Sequence, residues 1–389
     1  MEVTMLQNSE RLLTRTQLAA MSRPGPVPQR KFGRSEEYVS SIGIGGFALR
    51  DLPQEEVTGI LNRALNEGMN YFDFAPSYPT VEQKAGEVVR ARREEAWIVS
   101  KTHDRTAEGS RRLLEGTLAN LGTDHIDEWR MHNIQSPAEL AALFAPGGAM
   151  EYAEQARQEG KVRYLSLSSH NPDIQYEAMQ RYEWDSMLVI LNYLDRFNFP
   201  IIWEKLIPYC VEHGIALIGM KAFGDGLLKA SANEALRYAL SLPSSCVICG
   251  VESIAQLEAD LAVARELVPV STFEFASLIK RSPELGTALC RQCGRCLPCP
   301  VAIDIPRVFE LEGWYDRQLA NPATEAELDP AEVAAHKEWF GQKDVARQKA
   351  SQLRPTPAQC TNCGLCNQRC YYKLWVKEKL REAWVKLAS

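Results

Sequence analysis

Long apolar runs are missing from this 389-residue chain, and none approaches the ~18 residues that a membrane-spanning helix needs. A basic excess is missing too. Lys and Arg number 44 against 50 Asp and Glu, a net charge of −6, whereas nucleic-acid-binding surfaces carry a positive balance. The first 30 residues hold Arg11, Arg15 and Arg23 but no continuous apolar h-region, so no cleaved secretory signal is expected and a cytoplasmic setting is. Cysteine is nearly absent from the first 280 residues, where only Cys210, Cys246 and Cys249 occur. Cys246 and Cys249 lie in the apolar run Ser245–Gly250, where a buried cysteine behaves as a small hydrophobe. These lacks argue against a membrane span, a nucleic-acid partner and a disulfide-stapled secreted domain.

Apolar residues make up 45% of the chain and charged residues 24%, close to soluble globular averages, and the length suits two domains. Residues 1–30 are polar, end in Pro24, Pro26 and Pro28, and are expected to form a flexible N-terminal arm or a short helix. A strand–turn–strand pattern follows around Lys31–Ser40, with turn residues Gly33, Arg34 and Ser35.

From residue 41 a short apolar run alternates with a longer stretch of helical period. Ser41–Gly45 precedes Glu55–Glu67, Met69–Phe74 precedes Val81–Arg92, and Trp97–Ser100 precedes Ala107–Leu121. Ile126–Met131 precedes Ala138–Glu159, and Val162–Leu167 precedes Asp173–Arg181. Met187–Leu191, Ile215–Met220 and Ser245–Gly250 precede Ile202–Glu212, Ala232–Ser241 and Ile254–Glu266. Eight such units predict a parallel sheet closed into an α/β (β/α)8 TIM barrel over residues 31–269. The pattern breaks near Val270. Residues 270–389 are expected to hold a helical segment and a second domain, with helices at Val308–Leu319 and Pro330–Lys349. Leu374, Trp375, Leu380, Trp384 and Leu387 are expected to form the apolar face of a last helix.

The other eight cysteines stand in two runs. Cys290, Cys293, Cys296 and Cys299 are spaced by two residues and followed by Pro300; Cys360, Cys363 and Cys366 are spaced by two, and Cys370 follows after three. Three cysteines at two-residue spacing with a fourth just beyond is the bacterial ferredoxin arrangement, in which the fourth cysteine ligates the other cluster. The spacing therefore predicts one [4Fe–4S] cluster on Cys290, Cys293, Cys296 and Cys370, and another on Cys360, Cys363, Cys366 and Cys299. A small, mainly helical, ferredoxin-like iron–sulfur domain is the expected second fold. The first run has one residue fewer before its last cysteine than the usual pattern, and Tyr371 stands where proline is usual.

Chemistry in a (β/α)8 barrel sits at the C-terminal ends of the strands. Those ends carry Asp73 and Tyr78 after the second strand, Lys101 on the third and His132 on the fourth. An ammonium beside a phenol favours the phenolate. Lys101, held by Asp73, would thus tune Tyr78 as a general acid, and His132 could orient the same substrate oxygen. At these residues the sequence resembles the aldo-keto reductases: Gly68–Asp73 with Ala75–Tyr78 resembles the family's Asp-x4-Tyr segment, Val99–Thr102 its lysine strand, and Asp127–Asn133 its histidine strand. The resemblance covers about residues 30–265. It implies Tyr78 as proton donor, Lys101 and Asp73 as its tuning pair, and His132 as orienter.

The same resemblance implies NADP or NAD as cofactor without a Rossmann motif. Ser168, Ser169 and Asn171 would hold the carboxamide, and Leu188 stands where the family usually has a glutamine. Met220, Lys221, Phe223 and Gly224 would underlie the pyrophosphate; Gly250, Ser253, Gln256 and Asp260 would line the adenosine end. Gln256 falls where many NADP-selective members carry arginine. The whole chain resembles the branch of the family with a ferredoxin-like C-terminal tail. It implies an oxidoreductase reducing a small-molecule carbonyl, or oxidising an alcohol. Two alternatives stand beside it: a lyase, dehydratase or epimerase using the same proton-transfer residues, and an iron–sulfur protein passing electrons to a partner. Trp129, Phe223 and Asp195–Trp203 are the expected pocket lining.

Overall fold

The computed structural model describes residues 11–78, 80–226, 228–281, 290, 294–316, 343–370 and 373–388. Eight parallel strands close into a barrel: β1 Ile42–Gly45, β2 Tyr71–Asp73, β3 Trp97–Thr102, β4 Ile126–Met131, β5 Val162–Ser168, β6 Ser186–Ile190, β7 Ala216–Met220 and β8 Cys246–Cys249. β8 pairs with β1 through Val247 and Ile42, which completes the ring. The helices between them are α1 Gln54–Asn66, α2 Val81–Arg92, α3 Ala107–Leu121, α4 Pro137–Phe144, α5 Ala149–Gln158, α6 Pro172–Arg181, α7 Ile207–His213, α8 Ala232–Leu240 and α9 Ile254–Arg265. The alternation expected from the sequence is present, with one helix divided. Ala138–Glu159 breaks into α4 and α5, and Gly147 in the break has φ 75°, a conformation glycine adopts without strain.

Local chemistry explains the helix boundaries. Thr106 caps α3 by accepting a hydrogen bond from Gly109 N at 3.0 Å, and Gly122 ends it in the left-handed region. Val57, Ile60, Leu61, Ala64 and Leu65 of α1 are buried at helical spacing, which turns one face to the barrel. In the strands the period is two. Trp129 on β4 points outward and donates through its indole to Ser110 on α3 at 3.0 Å, so it belongs to the layer under the helices, not to the pocket lining where it was expected. Ser100 on β3 likewise donates to Glu82 on α2 at 2.6 Å.

Of the two forms expected for the N-terminal residues, residues 11–30 take the one with a short helix. Thr14 and Gln17 form a reciprocal capping box on the helix Arg15–Met21. Ser22–Arg23, Gln29–Lys31 and Tyr38–Ser40 then form a three-stranded antiparallel sheet that contains the expected hairpin. Its Arg30 is buried and donates to Ser244 O at 2.9 Å and Leu240 O at 2.7 Å, just ahead of β8. The sheet thus meets the N-terminal ends of the barrel strands.

Contacts divide the chain into two units. One takes in the described chain to Asn192, Ile201–Asp225 and Ala232–Thr272; the other joins Tyr193–Pro200, Gly226–Ser231 and Phe273–Ser389. The sequence break near Val270 falls two residues from the main boundary, but the two short insertions were not foreseen. After the boundary, which falls at the first residue of α10 Thr272–Arg281, the helices α11 Ile305–Asp316, α12 Lys343–Ala350, α13 Leu365–Arg369 and α14 Val376–Ala388 belong to the second unit. Leu311, Trp314, Ala346, Ala350, Leu380, Ala383 and Leu387 are among its buried apolar residues. Trp375, expected in that core, is 73% exposed, because α14 begins one residue after it and turns Val376, Leu380 and Leu387 inward. Among the described residues no helix is long and apolar enough to cross a membrane.

Candidate active site

Three consecutive strand ends bring Asp73, Tyr78, Lys101 and His132 together. Asp73 closes β2 and Lys101 lies near the end of β3, both about 1% exposed. The Lys101 ammonium donates to Asp73 Oδ1 at 2.5 Å and to the Phe74 carbonyl at 2.6 Å. The same Nζ stands 4.7 Å from the centre of the Tyr78 ring. His132 follows β4, and its ring meets the Tyr78 ring edge-on at 6.2 Å; Phe47 meets it at 5.4 Å. A half-buried phenol is thus bounded by a buried ammonium and an imidazole. Burial, then the Lys101 ammonium, with His170, Arg130 and His103 adding, push the His132 imidazole well below its usual value. At neutral pH it is an uncharged hydrogen-bonding group. Asn133 next to it has φ 54°, and Arg105 pins this strained turn by donating to His132 O at 2.9 Å and Asn133 O at 3.0 Å.

Two residues of this site were missed in the sequence. Arg130 and Glu128 share the inward face of β4 with His132, and both are fully buried. Arg130 donates to Asp73 Oδ2, to Ser166 Oγ at 3.1 Å and to the Tyr71 hydroxyl at 3.1 Å, and pairs with Glu128 at 3.3 Å. Glu128 also accepts from Tyr71 at 2.5 Å, from the Trp97 indole at 2.9 Å, and from Ser186. Barrel interiors are usually filled by branched apolar side chains; here a paired charge network takes their place. Burial alone would lower Arg130, but Asp73, Tyr71 and Glu128 more than offset it and hold the guanidinium charged. The strand period was the available signal, since Arg130 and Glu128 stand two and four residues before His132.

The residues expected at a nucleotide are more dispersed in their duties. Ser168 Oγ accepts from Asn133 N at 3.0 Å, and Ser169 Oγ accepts from Asn171 N at 2.8 Å. Asn171 caps α6: its Oδ1 accepts from Asp173 N and its Nδ2 donates to Gln135 O at 3.0 Å, so both ends of the amide serve the fold. Leu188 is buried on β6, where its carbonyl accepts from Gln175 at 2.8 Å. After β7, Lys221 has φ 59° and its carbonyl accepts from Asn192 at 2.9 Å, while Gly224 has φ 58°. A lysine held in the left-handed region is strained, and such strain clusters at functional sites. Met220 is buried at the end of β7, and Phe223 is half-buried. After β8, Gly250 leads to Ser253, which caps α9 by accepting from Gln256 N, and the Gln256 side chain accepts from Glu252 N at 2.7 Å.

Asp260 on α9 is buried beside Cys249, and burial pushes its carboxyl up to about 7. The folded chain therefore holds this proton more tightly than the unfolded chain. Its contribution to stability is full at low pH and is lost as pH rises toward about 7. Asp260→Asn is expected to raise the melting temperature at pH 8 by the equivalent of a few kcal/mol, each tenfold gain in proton affinity on folding counting for about 1.4 kcal/mol, and by much less near pH 4. Equal gains at both pH values in thermal melts would show that the acid is not strained by burial.

No disulfide joins the ten described cysteines. Cys210, Cys246 and Cys249 are buried, and burial pushes the Cys210 thiol up to about 12, as expected for small hydrophobes. In the second unit Cys299, Cys360, Cys363 and Cys366 line one cavity, with Cys296 and Lys377 also on its wall. Cys360 Sγ accepts from Asn362 N at 3.4 Å and Cys370 Sγ from Leu374 N at 3.3 Å. Cys290 is half-buried, and Cys293 lies outside the described residues. Among the described residues no three His, Cys, Asp or Glu side chains gather closely enough to hold a metal ion.

The profile of the aldo/keto reductase family matches residues 41–235, half of the chain. The chain belongs to the aldo/keto reductase family. It is an enzyme of that family's oxidoreductase type, and the cysteine runs lie beyond the match. An uncharacterized oxidoreductase of Bacillus subtilis, YqkF, is 25% identical over 51% of this chain and 66% of its own length. L-galactose dehydrogenase of Arabidopsis thaliana is 23% identical over 62% of this chain and 89% of its own. The holo form of an aldo-keto reductase from Bacillus halodurans superposes with a TM-score of 0.57 at 23% identity, covering 65% of this chain and 96% of that one. A Klebsiella pneumoniae aldo/keto reductase in complex with NADP and acetate gives 0.54 at 20% identity, with 65% and 94% covered. These two structures share the barrel fold.

Proposed function

We propose that this aldo/keto reductase reduces a small-molecule carbonyl, or oxidises the corresponding alcohol, with NAD(P)H, and that its C-terminal segment carries two [4Fe–4S] clusters. The convergence of Lys101, Asp73 and His132 on Tyr78 carries the catalytic half of this reading. The nicotinamide, when bound, supplies the hydride. Tyr78 gives its phenolic proton to the substrate oxygen as negative charge develops there. Lys101, fixed by two acceptors, stabilises the phenolate left behind. His132, uncharged, donates an N–H to the same oxygen and orients it. The strained backbone at Lys221, the left-handed turn at Gly224, and Ser253 at the N-terminus of α9 suit a pyrophosphate approached by main-chain N–H groups. In this reading Ser168 and Ser169 would face the carboxamide end and Asp260 the adenosine end, although the Ser169 hydroxyl already bonds the Ile134 and Asn171 backbone and Asp260 is buried.

The cavity bearing Cys299, Cys360, Cys363 and Cys366 supports the cluster half. Those are the four thiols that the ferredoxin spacing assigns to one cluster; Cys296, assigned to the other, stands on the same wall. A four-iron cubane takes each thiolate on a separate iron, so its ligands stand around a cavity and do not meet at one point. The second cluster would use Cys290, Cys293, Cys296 and Cys370, and the N–H groups at Cys360 and Cys370 are of the kind that tune cluster potentials.

Anaerobic titration with NADPH and NADH, followed by nucleotide fluorescence, tests the reading. Both are expected to bind, with NADPH favoured by less than about tenfold, or 1.4 kcal/mol. The reason is that Gln256 turns back onto Glu252 N in place of an arginine reaching for a 2′-phosphate. If neither nucleotide binds, the reductase reading is wrong and proton-transfer chemistry at Tyr78 takes its place.

A further inference from the structure

Asp73 does not form a simple pair with Lys101. Its Oδ1 accepts from Lys101, and its Oδ2 accepts from Arg130. Arg130 is itself fixed from below by Ser166, Tyr71 and Glu128. An ammonium matched one-to-one with a carboxylate presents little more than a dipole to a neighbouring phenol. A carboxylate divided between two cations leaves the nearer one partly unbalanced, and at this depth little solvent screens the difference. The compensating anion, Glu128, is two residues further down β4, about 6.6 Å by strand rise, and so further from the mouth.

We propose that Arg130 is a positioning residue for the proton donor: by holding Oδ2 of Asp73 it leaves the Lys101 ammonium only part-neutralised beneath Tyr78. The inference rests on Tyr78 being the proton donor. The groups facing Tyr78 are Lys101 from β3, with Asp73 of β2 behind it, His132 after β4, and the uncharged Phe47 ring. Of these only Lys101 carries positive charge at neutral pH, and Asp73 sets how much of it is felt. The competing role for Arg130 is neutralisation of Glu128 in the barrel interior.

The double substitution Arg130→Gln with Glu128→Gln separates the two roles, because it removes one charge of each sign. The tyrosinate absorbance that each protein loses on adding Tyr78→Phe is followed against pH. In the double variant its midpoint is expected to rise by about one pH unit. With NADPH and 4-nitrobenzaldehyde, kcat at pH 7 is expected to fall about tenfold with KM unchanged. Arg130→Lys keeps the cation without the fork and is expected to retain the native midpoint and most of kcat. A double variant with native midpoint and native kcat would reduce Arg130 to a counter-ion for Glu128. Should the double variant not fold, Glu128→Gln alone decides: with that partner neutral Arg130 is drawn more fully to Asp73, so a midpoint lowered by about half a pH unit or more upholds the proposal and an unchanged one overturns it. Native turnover in Tyr78→Phe alone would remove the proton-donor reading, while the absorbance midpoint would still report what Arg130 does.

Discussion

Tyr78→Phe is expected to lower carbonyl reduction by at least about 100-fold, the lower end of what a positioned general acid contributes. The substitution deletes one oxygen and keeps the ring that packs against Phe47 and His132. Nucleotide affinity, melting temperature and iron content should be unchanged. Neither neighbour can take over. His132 is held neutral by burial and by the Lys101 ammonium, so at pH 7 it has no acidic imidazolium proton to give. Lys101 is tied to Asp73 Oδ1 and the Phe74 carbonyl, and its charge is needed where it stands. Stopped-flow oxidation of NADPH by an aldehyde measures the chemical step directly. A variant retaining more than about a tenth of native turnover would mean that Tyr78 supplies less than about 1.4 kcal/mol, and the proton donor would have to be sought elsewhere.

Protein purified without oxygen is expected to contain about eight iron atoms and eight labile sulfides per chain, the content of two four-iron clusters. Cys299→Ser should damage the cluster held by Cys360, Cys363 and Cys366, since the crossed ferredoxin pattern assigns it there and it lines a cavity with those three. It should spare the cluster nearest Cys299 in the chain. Binding of this kind is coupled to folding, because thiolates must be gathered before a cluster can hold them. Oxidative cluster loss is therefore expected to expose the segment after Phe273 to proteolysis first, while the barrel keeps its circular dichroism. Metal analysis showing two zinc ions and no sulfide would overturn the cluster assignment, and simultaneous digestion of both units would overturn their independence.

The barrel was legible because strand and helix periods alternate eight times, a pattern hard to satisfy otherwise. Asp73, Lys101 and His132 were legible because each falls at a strand end, where side chains from separate strands meet, with Tyr78 in the loop after the first of these strands. Arg130 and Glu128 were not, since charged residues inside a strand suggest a solvated face, and only the closure of the barrel turns that face inward. Asn171 and Gln256 show a different ambiguity. A polar residue at the start of a helix satisfies orphan backbone groups or contacts a ligand, and the sequence pattern is the same for both. The N-terminal helix was one of two expected forms, and Thr14 and Gln17, three residues apart, are the capping signal that would have decided for it. Trp375 was placed by helical period alone, and a period does not say where the helix begins.

The Arg30 guanidinium bears on where this protein can be cut. It sits buried at the floor of the barrel and forms no ion pair among the described residues; its two terminal nitrogens donate to the carbonyls of Ser244 and Leu240, its Nε is left without a partner, and burial lowers it to about 10. Those carbonyls belong to the turn that feeds β8, and a second chain segment, at Leu13, also docks on Ser241 there. The family match begins at residue 41, yet the first unit takes in the described residues well upstream of it. A shortened protein started at the edge of the family match would strip the donors from the loop that closes the ring of strands, and water would enter under β8. For deletion, permutation or fusion, the stretch from Leu13 to Ser40 has to be handled as the base plate of the barrel and kept with it.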